Sequence, residues 1–405
     1  MLKNIVVVND FAKADGGAGK VAIDVALALS KHYVVYFFSS VPPIDPRLQE
    51  SNVCVICMNK PDVLHDGNRL RAIIQGLWDK KVSNRFAELL AKLDSRETVV
   101  HVHAWTKALT SSIFSITSKM NFHLILTLHD FFLFCPNGGF FNYKSMAICE
   151  KRSRSLRCLA TNCDSRNYYQ KIWRMLRLEI QNRHLWKNEK MTLLYISKMC
   201  YEVSKPCISK NVRMLYLPDP VDLPHSDTCD IEKNEYYLYL GRLSPEKGAE
   251  LFCKALSDIG LKGVLVGDGY LMENLKCKYP NMVFAGWASG DRKAALMRKA
   301  KALIFPSYWR ETYGLAVAEA RSYGIPCIVP DKCAASEQVV DGKTGYIFKT
   351  GDLASLKEAV LKYEHTDLKQ MQKNLIESFH PEELSMETHV KKLIEIYNDI
   401  LSDDK

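Results

Sequence analysis

The sequence predicts an α/β protein of two doubly wound, parallel-sheet domains, and three observations carry that expectation. Short apolar runs alternate with helical stretches along all 405 residues. The runs fall into two series, divided by Leu217-Pro-Asp-Pro-Val-Asp222, where two prolines within three residues make a stiff, non-helical linker. A chain of this length also exceeds one ordinary hydrophobic core.

The first series of strands is expected at Asn4–Val8, Tyr33–Phe38, Val53–Met58, Thr98–Val102, His123–Leu128, Met191–Ile196 and Val212–Leu217. The second is expected at Tyr236–Leu240, Gly263–Val266, Met282–Ala285, Ala302–Phe305, Ile325–Val329 and Gly345–Phe348. This gives a first domain over 1–217 and a second over 218–380. The remainder, 381–405, carries an amphipathic helical stripe of Leu384, Met386, Val390, Leu393, Ile394, Ile396 and Tyr397. In doubly wound sheets ligands bind beyond the carboxyl ends of the strands, so two facing domains would present two binding rims across a cleft.

Composition narrows the class. Apolar residues make up 47% and aromatics 10%, as in a globular protein. No apolar run approaches the roughly 18 residues of a spanning helix. The run Ile5-Val-Val-Val8 is too short for a signal-peptide core. The expectation is a cytoplasmic chain, or one peripheral on the inner face of a membrane. The net charge of +9 is uneven, because residues 151–190 hold eleven Lys or Arg against three acids. Tyr168, Tyr169, Ile172, Trp173, Leu176 and Trp186 interleave with them, a pattern suited to an anionic membrane or to a solvated basic helix face. No nucleic-acid module accompanies the charge, so no nucleic-acid partner is expected.

Thirteen cysteines with no secretory leader read as reduced thiols, mostly in the core. Cys54 and Cys57 fall three apart in a strand, on opposite faces, and make no pair. Cys135, Cys149, Cys158 and Cys163 lie within one loop and could hold a structural zinc, although their spacing lacks the usual tight pair.

The chemistry-bearing residues concentrate in the second domain. Strand Tyr236–Leu240 leads into Gly241-Arg242, and Lys247-Gly248 follow. Arg242 and Lys247 there are suited to a nucleotide diphosphate, whose charges need fixed cations in a partly dry site and whose departure they stabilise. Further on, Glu311-Thr-Tyr-Gly-Leu-Ala-Val-Ala-Glu319 follows a strand. Glu311 stays in the loop, where it can accept hydrogen bonds from sugar hydroxyls. A helix starting near Tyr313 offers the N–H groups around Gly314 and Leu315 to phosphate oxygens. Glu319, on its first turns, can reach the vicinal diol of a ribose.

In the first domain, Asp15-Gly-Gly-Ala-Gly-Lys20 fails as a P-loop, because Ala14 and Val21 stand where glycine and Ser or Thr are needed. As a dinucleotide fingerprint it starts too far from its strand, and no acid closes the second strand. His129-Asp130 ends strand His123–Leu128, while His101 and His103 end the preceding strand and read as structural or peripheral. Asp-x-Asp occurs nowhere, so no metal or other cofactor is expected for catalysis.

Gly241-Arg-Leu-Ser-Pro-Glu-Lys-Gly248 together with the Glu-x7-Glu segment resembles the retaining family 4 glycosyltransferases (glycosyl transferases group 1). The resemblance implies the GT-B fold of two Rossmann-like domains, with the terminal helix crossing back to the first. It implies a glycine loop at Gly16 and Gly17, Gly241 at the donor, and a histidine, here His129, beside the transferred sugar. The sequence departs from the family at Ala334-Ala335, where a glycine pair is common, and at Asp219, where Asn is common. The expected activity is transfer of a hexose from a UDP- or GDP-sugar to a glycan or lipid-linked hydroxyl in polysaccharide biosynthesis, with retained configuration. Front-face attack is expected, since no carboxylate is clearly placed as a nucleophile. A degenerate scaffold and a nucleotide-sugar epimerase or hydrolase of the same fold are the alternatives.

Overall fold

A computed structural model describes residues 1–208, 212–221 and 229–402. The chain divides into two compact units. The first comprises 1–138, 151–220 and 384–405, and the second comprises 139–150 and 221–383. The division falls after Pro220, three residues past the expected Leu217, and Asp222 of the linker lies outside the described residues.

In the first unit the strands are β1 (Asn4–Val8), β2 (Val34–Ser39), β3 (Cys54–Cys57), β4 (Thr98–Val102) and β5 (His123–Thr127). A short ribbon, β6 (Phe141–Asn142) and β7 (Ala147–Ile148), belongs to the second unit, and β8 (Met191–Tyr195) and β9 (Arg213–Tyr216) complete the first. The parallel sheet runs β3-β2-β1-β4-β5-β8-β9. Its central strands are buried on both faces, which is why they read as unbroken apolar runs rather than alternating ones.

The second unit holds β10 (Tyr236–Leu240), β11 (Gly263–Val266), β12 (Val283–Gly286), β13 (Ala300–Ile304), β14 (Cys327–Pro330) and β15 (Gly345–Phe348). Its parallel sheet runs β12-β11-β10-β13-β14-β15. In both sheets the order reverses beside the first strand, between β1 and β4 and between β10 and β13. Such a switch point opens a crevice at the carboxyl edge, where doubly wound sheets bind ligands.

All the expected strands appear, with ends moved by at most two residues. The ribbon was not expected. The carboxyl-terminal helix begins at Met386 after a 3₁₀ turn at Pro381–Leu384. Its Val390, Leu393, Tyr397, Ile400 and Leu401 pack into the core of the first unit against the helix Gly17–Leu29 and the face of β1 and β2. Among the described residues no helix is long and apolar enough to cross a membrane.

Candidate active site

The switch point of the second sheet brings the two motifs together. After β10 the chain makes a 3₁₀ turn at Pro245–Lys247 and enters the helix Ala249–Asp258 through Gly248. Gly248 is left-handed at φ +73, and a Cβ there would stand 1.9 Å from the Pro306 carbonyl oxygen. Only glycine lets this loop lie so close to the segment after β13. The two loops are also bonded, because the Glu246 carbonyl accepts from Tyr308 N (2.9 Å) and Ser307 Oγ (3.3 Å).

This approach pairs Lys247 Nζ with Glu311 Oε1, and both side chains are mostly buried. The same oxygen accepts from Trp309 Nε1 (2.5 Å) and Ser307 Oγ (3.0 Å). The Lys247 ammonium sits 5.0 Å from the centre of the Trp309 ring. Three donors therefore fix Oε1. Among the described residues no hydrogen bond or ion pair takes Oε2, which leaves it for a ligand hydroxyl. Arg242 is exposed, and no hydrogen bond or ion pair ties its guanidinium among the described residues.

The helix after Glu311 starts at Leu315, two residues beyond the expected Tyr313, because Gly314 takes a left-handed cap at φ +91. A Cβ at Gly314 would meet Ala335 Cβ at 3.0 Å. Ala335 thus packs on the cap, while Ala334 N donates to the Glu311 carbonyl (3.0 Å). The alanines that depart from the family's glycine pair brace the Glu311–Gly314 loop. Glu319 lies one turn into the helix and pairs with Lys293 at 2.5 Å from the helix Gly290–Arg298.

The switch point of the first sheet carries a second cluster. Gly16 caps the helix Gly17–Leu29, and a Cβ on it would meet nothing within 4 Å. Asp10, buried after β1, accepts backbone N–H groups of Lys107, Ala108 and Leu109, which anchors the loop after β4. Burial holds its carboxyl above the usual range.

His129 is held at both ring nitrogens. Nδ1 lies 3.2 Å from Asp219 Oδ2, and Nε2 lies 2.9 Å from His103 Nδ1. Burial alone would lower the His129 pKa, but the charges of Asp219 and Asp130 outweigh it and the net direction is up. His103 goes the other way, well below its usual value, through burial and the neighbouring histidines. His129 thus lies between the Asp219 carboxylate and the His103 ring. Among the described residues, His103 Nε2 and Asp219 Oδ1 are buried with no hydrogen-bond partner. His103, expected to be peripheral, therefore touches the histidine of interest. His101 is structural, bonded to Tyr397 Oη (2.6 Å) and Thr127 Oγ1 (2.7 Å).

Of the four loop cysteines, Cys149 falls in the segment grouped with the second unit and the other three in the first. Among the described residues no group of three or more His, Cys, Asp or Glu gathers as a metal site. Sequence reasoning missed Trp309, Ser307, Lys293 and the Asp219–His129–His103 contacts. Only Trp309 and Ser307 left a signal, by flanking Glu311 on the carboxyl side of a strand.

Residues 227–379 match the family described as glycosyl transferases group 1. The chain is 30% identical over 169 residues to the N-acetyl-alpha-D-glucosaminyl L-malate synthase of Bacillus anthracis, covering 38% of this chain and 42% of that one. It is 27% identical over 147 residues to the UDP-Gal:alpha-D-GlcNAc-diphosphoundecaprenol alpha-1,3-galactosyltransferase of Escherichia coli, covering 33% and 37%. The alignments thus span well under half the length of these curated relatives. The Anabaena HepE structure in complex with UDP superposes with a TM-score of 0.67 over 98% of this chain and 100% of that one, at 15% identity. That likeness establishes a shared GT-B fold.

Proposed function

With residues 227–379 belonging to the glycosyl transferases group 1 family, we propose that the chain transfers a hexose from a UDP- or GDP-sugar to a hydroxyl of a glycan or lipid-linked acceptor, with retention. The observation that carries this reading is Glu311, with one oxygen fixed by Lys247, Trp309 and Ser307 and the other left for a ligand, beside the Gly314-capped helix. The relatives' names, which include a UDP-Gal-dependent galactosyltransferase, support a nucleotide-sugar donor.

In this reading the diphosphate lies against Lys247, Arg242 and the N–H groups of Gly314 and Leu315, with Gly241 giving it room. Lys247 has three donors and can keep Glu311 in place while it meets a phosphate oxygen. As the sugar bond breaks, charge grows on the leaving phosphate, and these cations stabilise it without a metal. The leaving phosphate oxygen then takes the proton of the incoming hydroxyl on the same face. Glu311 orients sugar hydroxyls, and Glu319 releases Lys293 to hold the ribose diol. The presence of Arg242, Lys247, Glu311 and Glu319 argues against a degenerate scaffold. A transfer assay in EDTA, with the product anomer read by proton NMR, tests the reading. An inverted product contradicts retention, and dependence on divalent metal contradicts the cationic site.

The acceptor side favours a lipid-linked substrate. Leu156, Tyr169 and Leu176 are exposed among Lys151, Arg152, Arg154, Arg157 and Arg166. The helix Arg69–Leu77 adds exposed Leu70, Ile73 and Ile74, and is tied to the helix Tyr168–Leu185 by Trp173 Nε1 donating to the Ile73 carbonyl at 3.0 Å. An apolar surface rimmed by cations suits a peripheral anionic membrane face.

A further inference from the structure

A cavity of about 700 Å³ lies within the first unit, between the helix Tyr168–Leu185, the segment after β5 and the 152–155 loop. That volume falls in the range of small-molecule sites. Leu133 and Phe134, which follow β5, are buried, and Ile172, Leu176 and Trp186 continue the apolar wall. Trp186 Nε1 already donates to Asn182 Oδ1 at 3.1 Å, so the indole needs no polar partner from an occupant. The 152–155 loop is tied down. Ser153 Oγ donates to the Phe134 carbonyl, and Ser155 Oγ donates to the Arg152 carbonyl at 2.7 Å and accepts Cys158 N at 3.1 Å.

The charges of the lining do not cancel. Glu179 is the carboxylate among the lining residues, and it already takes Arg154 at 2.5 Å and Arg183 at 3.5 Å. Arg152 is left over, because among the described residues no hydrogen bond or ion pair takes its guanidinium. Burial pushes the Cys207 thiol up and the Arg152 charge acts against it, which sets the guanidinium at the Pro206-Cys207 end of the cavity. An apolar wall therefore ends at an uncommitted cation. Ile172 and Leu176 are half-exposed and also belong to the apolar face that carries Leu156 and Tyr169, so the cavity opens onto that face.

We propose that this cavity takes one anionic phospholipid of the membrane, with its phosphate on Arg152 and one acyl chain along Leu133, Phe134, Ile172 and Leu176. Charge and apolarity select that occupant together. A guanidinium meets phosphate oxygens with two parallel hydrogen bonds. The wall removes the chain from water. A free phosphate leaves the wall wet, and an uncharged chain leaves the guanidinium unanswered. The inference rests on the membrane-facing reading and goes beyond it. A basic, apolar face needs only area and net charge, and it meets any anionic surface. A cavity takes a fixed number of molecules and tells one headgroup from another. Seated there, the lipid holds the helix Tyr168–Leu185 against the bilayer.

The test is calorimetric titration of the full-length protein with dihexanoyl phosphatidylglycerol, kept below its micelle-forming concentration so that no bilayer is present. Saturable binding of one molecule per chain is expected. Dihexanoyl phosphatidylcholine, whose choline cancels the phosphate charge, should bind about tenfold more weakly, the worth of one charged contact. Arg152→Gln should weaken the phosphatidylglycerol by a similar factor, and Ile172→Asp should weaken both lipids. Arg152 and Ile172 are exposed, and a thermal melt checks that each variant folds. The triple variant Leu70→Glu, Ile74→Glu, Tyr169→Glu should lose sedimentation with anionic vesicles and keep the monomeric lipid. Protein that sediments with those vesicles but binds no monomeric phosphatidylglycerol overturns the cavity and leaves the membrane face standing. Binding that survives in both Arg152→Gln and Ile172→Asp overturns it too, as does equal binding of inorganic phosphate. Protein that neither sediments nor binds the monomer overturns the membrane reading and the cavity together.

Discussion

At the scale of the residue, one carboxylate oxygen organises the proposed donor site. Glu311 Oε1 collects an ammonium, an indole N–H and a hydroxyl, which leaves little freedom for Oε2. Removing a preorganised cation from such a site costs about 10²–10³ in turnover. Lys247→Ala should show that loss in kcat and should also free Glu311. A rate near that of the parent would refute the role. Glu319→Ala should act mainly on the donor KM, and a change confined to kcat would contradict ribose binding. His129 makes a prediction in pH. Its pKa is raised in the fold, so its stabilising contribution is complete below the unfolded value of about 6.5 and is lost as pH rises through the folded value. The melting deficit of Asp219→Asn should therefore be largest below about pH 6.5 and shrink toward pH 8.5. A deficit that grows with pH would contradict the Asp219–His129 pair. None of these partnerships could be read in sequence. Asp219 lies 90 residues from His129 and Lys247 lies 64 from Glu311. Spacing of that kind carries no signal until the sheets bring the loops together.

At the scale of the element, the loops at the two switch points are set by glycines. Gly248→Ala must strain a left-handed residue and push a methyl into the Pro306 carbonyl. It should lower stability by more than about 1 kcal/mol in chemical denaturation and displace Lys247 as well. An unchanged midpoint would mean that the loop relaxes freely. The strands were legible because each is a short, mostly apolar run, and β1, β4, β10, β11 and β15 match their expected limits. The ribbon β6–β7 was not, since two-residue strands have no period to detect. The helix expected near Tyr313 starts at Leu315 because the left-handed Gly314 stops the backbone from extending earlier. The exposed helix face of Leu70, Ile73 and Ile74 carries no charge excess that would mark it in the sequence. Introducing Glu at Leu70, Ile74 and Tyr169 should reduce sedimentation with anionic vesicles while leaving donor binding intact. Parent protein that fails to sediment with those vesicles would remove the membrane reading.

At the scale of the whole molecule, two doubly wound sheets were readable from periodicity, whereas the terminal helix packed on the first unit followed only from the family resemblance that the two motifs carry. What the motifs mean physically became clear only when β10 and β13 placed Gly248 against Pro306 and Lys247 against Glu311. The central claim is that this switch point binds a nucleotide-diphospho-sugar through fixed cations. Thermal melting with a panel of UDP- and GDP-sugars, in EDTA, tests it most directly. Ligand at about 100 times its Kd stabilises the folded form by about 2.7 kcal/mol. The account predicts that one donor raises the melting temperature without metal, and that a Lys247→Ala, Glu319→Ala double variant loses the shift. No shift from any donor, or a shift that survives in the double variant, would contradict it.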